Sequence, residues 1–211
     1  MLEAVFWAGL ATIAYTYALY PLALIAFARL TPERKYHENG GARAFPSATL
    51  VIAAYNEEHA IAKKIENSLS LDYPRGLLTI IVASDGSSDS TNSIVSGYAG
   101  RNENVRLLVL PRSGKGSAIN AAMREVASGI AVFTDANTEI ERGALKRLAR
   151  RFFDPNVGCV SGRLVYRNPS GSISGRGEGA YWRYETMLKR LESRAGYVAG
   201  ANGAIYAIRR E

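Results

Sequence analysis

The sequence predicts an α/β domain built on a mostly parallel sheet flanked by helices, preceded by one transmembrane helix. Apolar runs of strand length alternate with segments of helical periodicity along most of the chain, which is typical of a doubly wound sheet. The 211 residues are 47% hydrophobic and 21% charged, enough for one such domain and a short extra segment. An uncharged run from Ala4 to Ala28 supplies the membrane helix.

The uncharged run is long enough to cross a bilayer, which takes about 20 apolar residues. A signal peptide would begin with basic residues and have a shorter apolar core, whereas Glu3 leads here; a buried core helix is the remaining alternative. Basic residues follow the run at Arg29, Arg34, Lys35 and Arg43. The positive-inside rule therefore places the rest of the chain on the cytoplasmic side of an inner or plasma membrane. We expect Tyr15, Tyr17 and Tyr20 to pack on other helices.

The transmembrane helix is predicted over residues 1–30, a linker over 31–46, and one domain over 47–211. Alternation of apolar segments predicts strands over 48–54, 77–83, 105–110, 130–135 and 157–166. Helical spacing relates Ile61, Ile65 and Leu69, and further helices follow residues 91, 117, 141 and 181. The polar, glycine-rich composition of segment 171–179 predicts a mobile segment.

Polar residues stand where the predicted strands end. Asp135 and Asn137 follow a buried strand, and parallel strands collect ligands at their carboxyl ends. Carboxylate and amide oxygens at alternate positions suit Mg²⁺ or Mn²⁺, which share their remaining positions with phosphates. Asp135 could instead cap the next helix, and Glu57 and Glu58 could complement the dipole of a helix that they begin.

The segment around Lys115 is no P-loop, because Val109 stands where the first glycine belongs and Gly116 replaces the Ser or Thr. No Gly-x-Gly-x-x-Gly follows the first strand, which argues against a nicotinamide dehydrogenase. Lys115 is thus a cation in a glycine-rich setting at the start of a helix, where a phosphate is favoured.

Four strand-end motifs occur in order: VIAAYNEE, ASDGSSDST, GKGSAIN and TDANT. Together they resemble the family 2 glycosyltransferases of GT-A fold, especially membrane-bound synthases related to cellulose, chitin and hyaluronan synthases. The resemblance covers residues 47–210. It implies an inverting enzyme that moves a sugar from a nucleotide-sugar, expected to be a UDP-sugar, to a polysaccharide or lipid-linked acceptor.

The resemblance also implies roles for single residues. Nucleotide-binding residues would be Ala54, Tyr55, Glu57, Asp85, Lys115 and Asn120, with Asp85 accepting a hydrogen bond from the uracil ring. Divalent Mg or Mn would be held by Asp135 and Asn137. Acceptor-binding residues would be Gly200, Ala201 and Asn202. The general base of the family is an Asp that we expect beyond Glu211, so no catalytic residue is assigned within this chain.

One departure from the family keeps alternatives open. Asn137 stands where the family usually has a second Asp, which should weaken metal binding because an amide carries no charge. A membrane-anchored nucleotide-sugar binding or regulatory module without catalysis is therefore a rival to the enzyme. A nucleotidyltransferase would carry a glycine-rich loop after the first strand, and AAYNEE is not one.

Charge and cysteine content add little to this choice. The net charge of +7 favours anionic partners, among them nucleic acid, acidic lipids and nucleotide phosphates; we expect membrane lipids as partners and no nucleic acid. The basic residues at 146–151 belong to a solvated helix face or attract anionic lipid. The single cysteine, Cys159, excludes an intrachain disulfide and is expected to be a buried thiol.

Overall fold

The computed structural model describes residues 1–31, 44–74, 76–163, 173–197, 200–201 and 204–210, and only the backbone of residues 173–182. The chain forms two compact units, one of Met1–Lys35 with Val165–Gly200 and one of Tyr36–Leu164 with Ala201–Glu211. The helices are α1 (Leu2–Ala14), α2 (Tyr20–Leu30), α3 (Ile61–Leu69), α4 (Thr91–Ala99), α5 (Lys115–Glu125), α6 (Ala144–Arg151) and α7 (Ile173–Ala195). The strands are β1 (Ala48–Ala54), β2 (Leu78–Asp85), β3 (Val105–Leu110), β4 (Ile130–Asp135), β5 (Cys159–Ser161) and β6 (Ile205–Arg209).

The second unit is built on a six-stranded sheet in the order β3-β2-β1-β4-β6-β5. β3, β2, β1 and β4 are parallel, β6 is antiparallel to β4, and β5 is antiparallel to β6. The predicted mostly parallel sheet is confirmed. From β1 the chain adds β2 and β3 on one side of β1, and then adds β4 on the other side.

Both faces of the sheet are covered, which is why the central strands are apolar at almost every position. One face buries Leu50 and Ile52 of β1 against Ile61 and Ile65 of α3, within a core that also includes Leu145 of α6. The other face buries its residues against α5, with Val51, Ile81, Phe133, Ala118 and Ala122 in one cluster. Ile61 and Ile65 recur at helical spacing because both lie on the buried face of α3.

In the first unit, α1, a π-helical turn at Tyr15–Leu19 and α2 form one helix, Leu2–Leu30, long and apolar enough to cross a membrane by length and composition. Two of its tyrosines contact α7. Tyr17 stacks on Tyr184 with ring centroids 6.3 Å apart, and the Tyr20 hydroxyl donates to Glu192 Oε1 at 2.7 Å. The expectation that these tyrosines pack on another helix is confirmed for Tyr17 and Tyr20.

Three expectations differ from the structure. The helix predicted from Tyr181 begins at Ile173 instead and includes the glycines at 175, 177 and 179, although glycine has a weak helix propensity. The predicted strand 157–166 is reduced to Cys159–Ser161 within the described residues, and 164–166 lie outside them. Cys159 is exposed rather than buried, since β5 is an edge strand. Most of the predicted linker also lies outside the described residues, so the predicted domain boundaries stay a prediction.

Candidate functional site

The carboxyl ends of the parallel strands bring the predicted residues to one edge of the sheet. Ala54 of β1 pairs with Ser84 of β2, directly before Asp85, and Ala53 pairs with Asp135 of β4. The register of three adjacent strands thus sets Tyr55, Asp85 and Asp135 side by side, as parallel pairing requires.

Asp85 lies at the end of β2 with only 3% of its side chain exposed. Its Oδ1 accepts the Ser113 N–H at 2.7 Å, its Oδ2 accepts the Gly114 N–H at 2.9 Å, and the Arg112 guanidinium also donates to Oδ2. The Ser113 N–H, with Arg112 and Gly114, holds the pKa of Asp85 below its usual range despite burial, which acts in the opposite direction. Asp85 is therefore an ionised acceptor inside a largely preformed cradle.

Arg112 also covers an aromatic ring. Its Cζ lies 3.5 Å from the ring centroid of Tyr55, a residue that is 44% exposed. Gly86, directly after Asp85, has φ +69°, and a Cβ there would lie 2.7 Å from the Arg112 backbone nitrogen. Glycine is required at this position because the β3–α5 loop passes so close. The planar guanidinium of Arg112 therefore lies against the ring of Tyr55 and donates to the carboxylate of Asp85. We call this place, formed by Tyr55 and Asp85 and occupied by Arg112, the slot.

The loops after β1 and β2 are cross-linked. The Glu57 N–H donates to Thr91 Oγ1 at 2.8 Å, and the Glu58 N–H donates to Asp89 Oδ2 at 3.1 Å. In return Glu58 Oε2 accepts the N–H of Ser90, the residue before α4, at 3.0 Å. The suggestion that Glu57 and Glu58 begin their own helix is wrong, because α3 starts later, at Ile61; Glu58 instead caps the neighbouring helix.

The second half of the site lies at the end of β4. Lys115, the first residue of α5, places its Nζ 2.5 Å from Asp135 Oδ1, and the side chain of Asp135 is 34% exposed. A cavity of about 360 Å³ opens beside this pair. It is lined by Val51, Ala53, Lys115, Ile119, Phe133, Thr134, Asp135, Ala201 and Tyr206. The rings of Phe133 and Tyr206 stack at 4.7 Å, which gives the cavity a flat apolar wall.

The oxygen donors at this edge fit a substrate-assisted metal site. Asp135 offers a carboxylate and Asn137, two residues later, is exposed. Within the described ranges no group of three or more His, Cys, Asp and Glu side chains could form a closed metal cage. Mg²⁺ and Mn²⁺ commonly use one or two protein carboxylates and take other ligands from phosphate and water. The Asp135 carboxylate, partly exposed beside an open cavity, meets the first part of that requirement.

A lysine that the motifs did not identify lies beneath the Asp135 turn. Lys64 is 3% exposed, and its Nζ donates to Thr134 Oγ1 at 2.8 Å and to the Thr138 carbonyl at 2.5 Å. Burial lowers the pKa of Lys64 to about 8, against the opposing charge of Asp135. Its position in the sequence could have indicated that Lys64 is buried, because it lies on the same face of α3 as Ile61, Ile65 and Ser68, which are all buried.

The remaining predicted residues are less constrained. Asn120 is exposed on α5, and Gly200 is exposed as well. Ala201 lines the cavity beside Asp135, while Asn202 lies outside the described residues. Arg112 was not assigned from the sequence, although it stands three residues before Lys115 in the same loop.

The doubly wound, mostly parallel sheet, with polar residues at the carboxyl ends of its parallel strands, is shared with solved glycosyltransferases of GT-A fold. A mannosyltransferase from Pyrobaculum calidifontis, solved in complex with GDP-Man and Mn²⁺, shares this fold with a TM-score of 0.75. It is 27% identical, and the match covers 100% of this chain and 56% of that one. TarS of Staphylococcus aureus shares the fold at a TM-score of 0.50 and 23% identity, over 60% of this chain and 38% of that one.

Residues 49–211 match the family described as Glycosyl transferase family 2, and the chain belongs to that family. A beta-monoglucosyldiacylglycerol synthase from Synechocystis sp. is 28% identical over 164 residues, covering 75% of this chain and 34% of the relative. A poly-beta-1,6-N-acetyl-D-glucosamine synthase from Staphylococcus aureus is 28% identical over 156 residues, covering 74% and 37%. The chain thus spans about a third of the length of these relatives.

Proposed function

We propose that this chain forms the donor-binding part of an inverting glycosyltransferase that moves a sugar from a UDP-sugar to a polysaccharide or lipid-linked acceptor. The observation that carries the proposal is the convergence of two features at one sheet edge: the Tyr55–Arg112–Asp85 slot and the Lys115–Asp135 pair. One feature suits a planar base that donates hydrogen bonds, and the other suits a diphosphate.

The slot supports base binding through its chemistry. The guanidinium of Arg112 stacks its flat face on the Tyr55 ring and donates an N–H to Asp85. A nucleobase has the same two features, a flat face and an N–H donor. Because Arg112 already donates to Asp85, a base that reaches this carboxylate must share it with Arg112 or displace it. Ala54 ends β1 directly before Tyr55, and Glu57 lies in the loop that carries Tyr55, so we assign both to the same nucleotide site.

We assign the Lys115 amine to the diphosphate, and the oxygens of Asp135 and Asn137 to the divalent cation that would accompany the diphosphate. When bound, Mg²⁺ or Mn²⁺ supplies positive charge that stabilises the phosphate leaving group. Lys115 adds a fixed cation at the start of α5, whose helix dipole also favours anions, and Asn120 is assigned to the support of this loop. The named complex of the mannosyltransferase with GDP-Man and Mn²⁺ supports both the metal and the nucleotide-sugar.

The acceptor is assigned to the cavity beside Asp135. Ala201 lines this cavity. From the family resemblance we assign Gly200, Ala201 and Asn202 to acceptor binding. The names of the relatives, a diacylglycerol-lipid synthase and a polysaccharide synthase, support a lipid-linked or glycan acceptor. The helix Leu2–Leu30 would anchor the domain at the cytoplasmic face of a membrane, in contact with its lipids.

A thermal-shift panel of UDP-, GDP- and dTDP-sugars, with and without Mn²⁺, tests the donor site on the purified chain in detergent. We expect the largest shift with a UDP-sugar plus Mn²⁺, and we expect Asp135→Ala to remove the Mn²⁺-dependent part of it. A larger shift with GDP-sugars would overturn the base assignment, and an unchanged Mn²⁺ effect in Asp135→Ala would overturn the metal assignment.

A non-catalytic binding module is the second candidate, favoured by one observation: an amide at Asn137 replaces a charged ligand. Transfer of labelled sugar from the donor into a lipid-extractable or polymeric product, measured with the full-length gene product, separates the two candidates. Donor binding without any transfer would favour the module.

A further inference from the structure

The ammonium group of Lys64 bridges the two ends of the turn that carries the candidate metal ligands. It donates to Thr134 Oγ1, directly before Asp135, and to the Thr138 carbonyl, directly after Asn137. The two acceptors are 2.8 Å and 2.5 Å from Nζ. Asp135 and Asn137 therefore lie within a backbone loop closed by one side chain from α3.

A second residue of α3 holds the segment that follows. The Asn67 amide donates to the Ile140 carbonyl at 2.9 Å, and its oxygen accepts the Ile140 N–H at 2.8 Å. Lys64 and Asn67 lie three residues apart, on neighbouring positions of the helix surface. Side chains of α3 are thus hydrogen-bonded to this segment at Thr134, Thr138 and Ile140.

Lys64 also fixes the direction of the Thr134 hydroxyl. Because the ammonium can only donate, Thr134 Oγ1 accepts from Lys64 and its hydrogen is free to donate to the Ala204 carbonyl, 2.8 Å away. This line of hydrogen bonds joins α3, the end of β4 and the start of β6. Burying a lysine is unfavourable unless its amine is hydrogen-bonded, and the two described hydrogen bonds of the Lys64 amine both go to the turn that carries Asp135.

We infer that Lys64 is a positioning residue that holds Asp135 and Asn137 in the geometry that binds the metal–diphosphate part of the donor. This inference rests on the proposed function of that turn. Lys64 acts through the turn and touches neither ligand of the metal in the contacts described. Groups that orient metal ligands commonly affect metal affinity by about 10- to 100-fold when removed.

The test compares Lys64→Met with Lys63→Met, a neighbouring lysine whose side chain is 79% exposed. Calorimetry measures the affinity of the chain for uridine, for UDP and for UDP with Mn²⁺. In Lys64→Met we expect the gain in UDP affinity from Mn²⁺ to fall about tenfold or more, with uridine affinity unchanged because the base slot does not include the turn. Lys63→Met should keep the full gain.

Each other outcome is decisive. An unchanged gain in UDP affinity from Mn²⁺ in Lys64→Met would overturn the inference. A larger gain would overturn it too, because it would show that the main effect of the Lys64 charge is to repel the metal. An equal loss of uridine affinity would reduce Lys64 to a general structural role. If Lys64→Met fails to fold, Thr134→Val against Thr134→Ser gives the answer, since only the valine variant removes the hydroxyl that Lys64 contacts. Absence of any Mn²⁺ gain in the unmodified chain would instead refute the proposed metal site.

Discussion

The stability of the sheet unit should rise with pH above neutrality because of Lys64. Burial lowers the pKa of this amine from its ordinary 10.5 to about 8. Since one pKa unit is worth about 1.4 kcal/mol, a protonated Lys64 destabilises the folded state by about 3 kcal/mol. The folded protein releases this proton above pH 8, while the unfolded chain keeps it up to about pH 10.5, so the destabilisation is complete below pH 8 and disappears between the two values.

Between pH 7 and pH 9 the folded state gains about 1.4 kcal/mol from this group, since the folded amine loses most of its proton while the unfolded amine does not. Urea denaturation followed by far-UV circular dichroism in detergent measures the change. Lys64→Met should lack the gain, and Lys63→Met, with its exposed amine, should retain it. Equal pH dependence in Lys64→Met and the unmodified chain would refute the reasoning, because all other groups are common to both.

Three further predictions concern the sheet edge. Asn137→Asp should tighten Mn²⁺-dependent UDP binding several-fold by adding a second charged ligand, as measured by calorimetry; no change would show that residue 137 does not face the metal. Asp85→Asn should weaken uridine binding about tenfold or more, because a charge-assisted acceptor is lost, while Asp72→Asn, whose carboxylate pairs with Lys146 at the surface, should not. Gly86→Ala should lower the free energy of unfolding by about 1–3 kcal/mol, because φ is +69° and Arg112 leaves no room for a Cβ. The control Gly116→Ala should not lower it, because a Cβ at this position meets no atom within 4 Å. Equal effects of the two substitutions would contradict the close approach at Gly86.

Strands and strand-end residues could be predicted from the sequence because they depend on local pattern. β1, β3 and β4 match their predicted limits, and parallel pairing then places Asp85 and Asp135 at one edge without further information. The predicted sheet type is confirmed by the strand order, and the predicted family by the match of residues 49–211. The nucleotide, metal and acceptor roles of the strand-end residues stay predictions.

Contacts between distant segments could not be predicted in the same way. Arg112 reaches Asp85 across a loop whose path is set by the close approach at Gly86. Glu58 caps a helix other than the one it precedes, and the burial of Lys64 depends on a turn formed 70 residues later. Cys159 was expected to be buried because cysteines usually are, but an edge strand exposes it.

The antiparallel strand β6 constrains the order in which the sheet can be completed. β4 lies between β1 and β6, and Thr134 meets Ala204 70 residues further along the chain. During synthesis the four parallel strands emerge first, and one edge of β4, with Phe133 and Thr134, stays unpaired until Ile205–Arg209 has been translated. Non-local pairing of this kind is slow and leaves an apolar edge open to aggregation. Any truncation before Ile205 would therefore remove the partner of the strand that carries Asp135, and with it the far wall of the cavity at Tyr206.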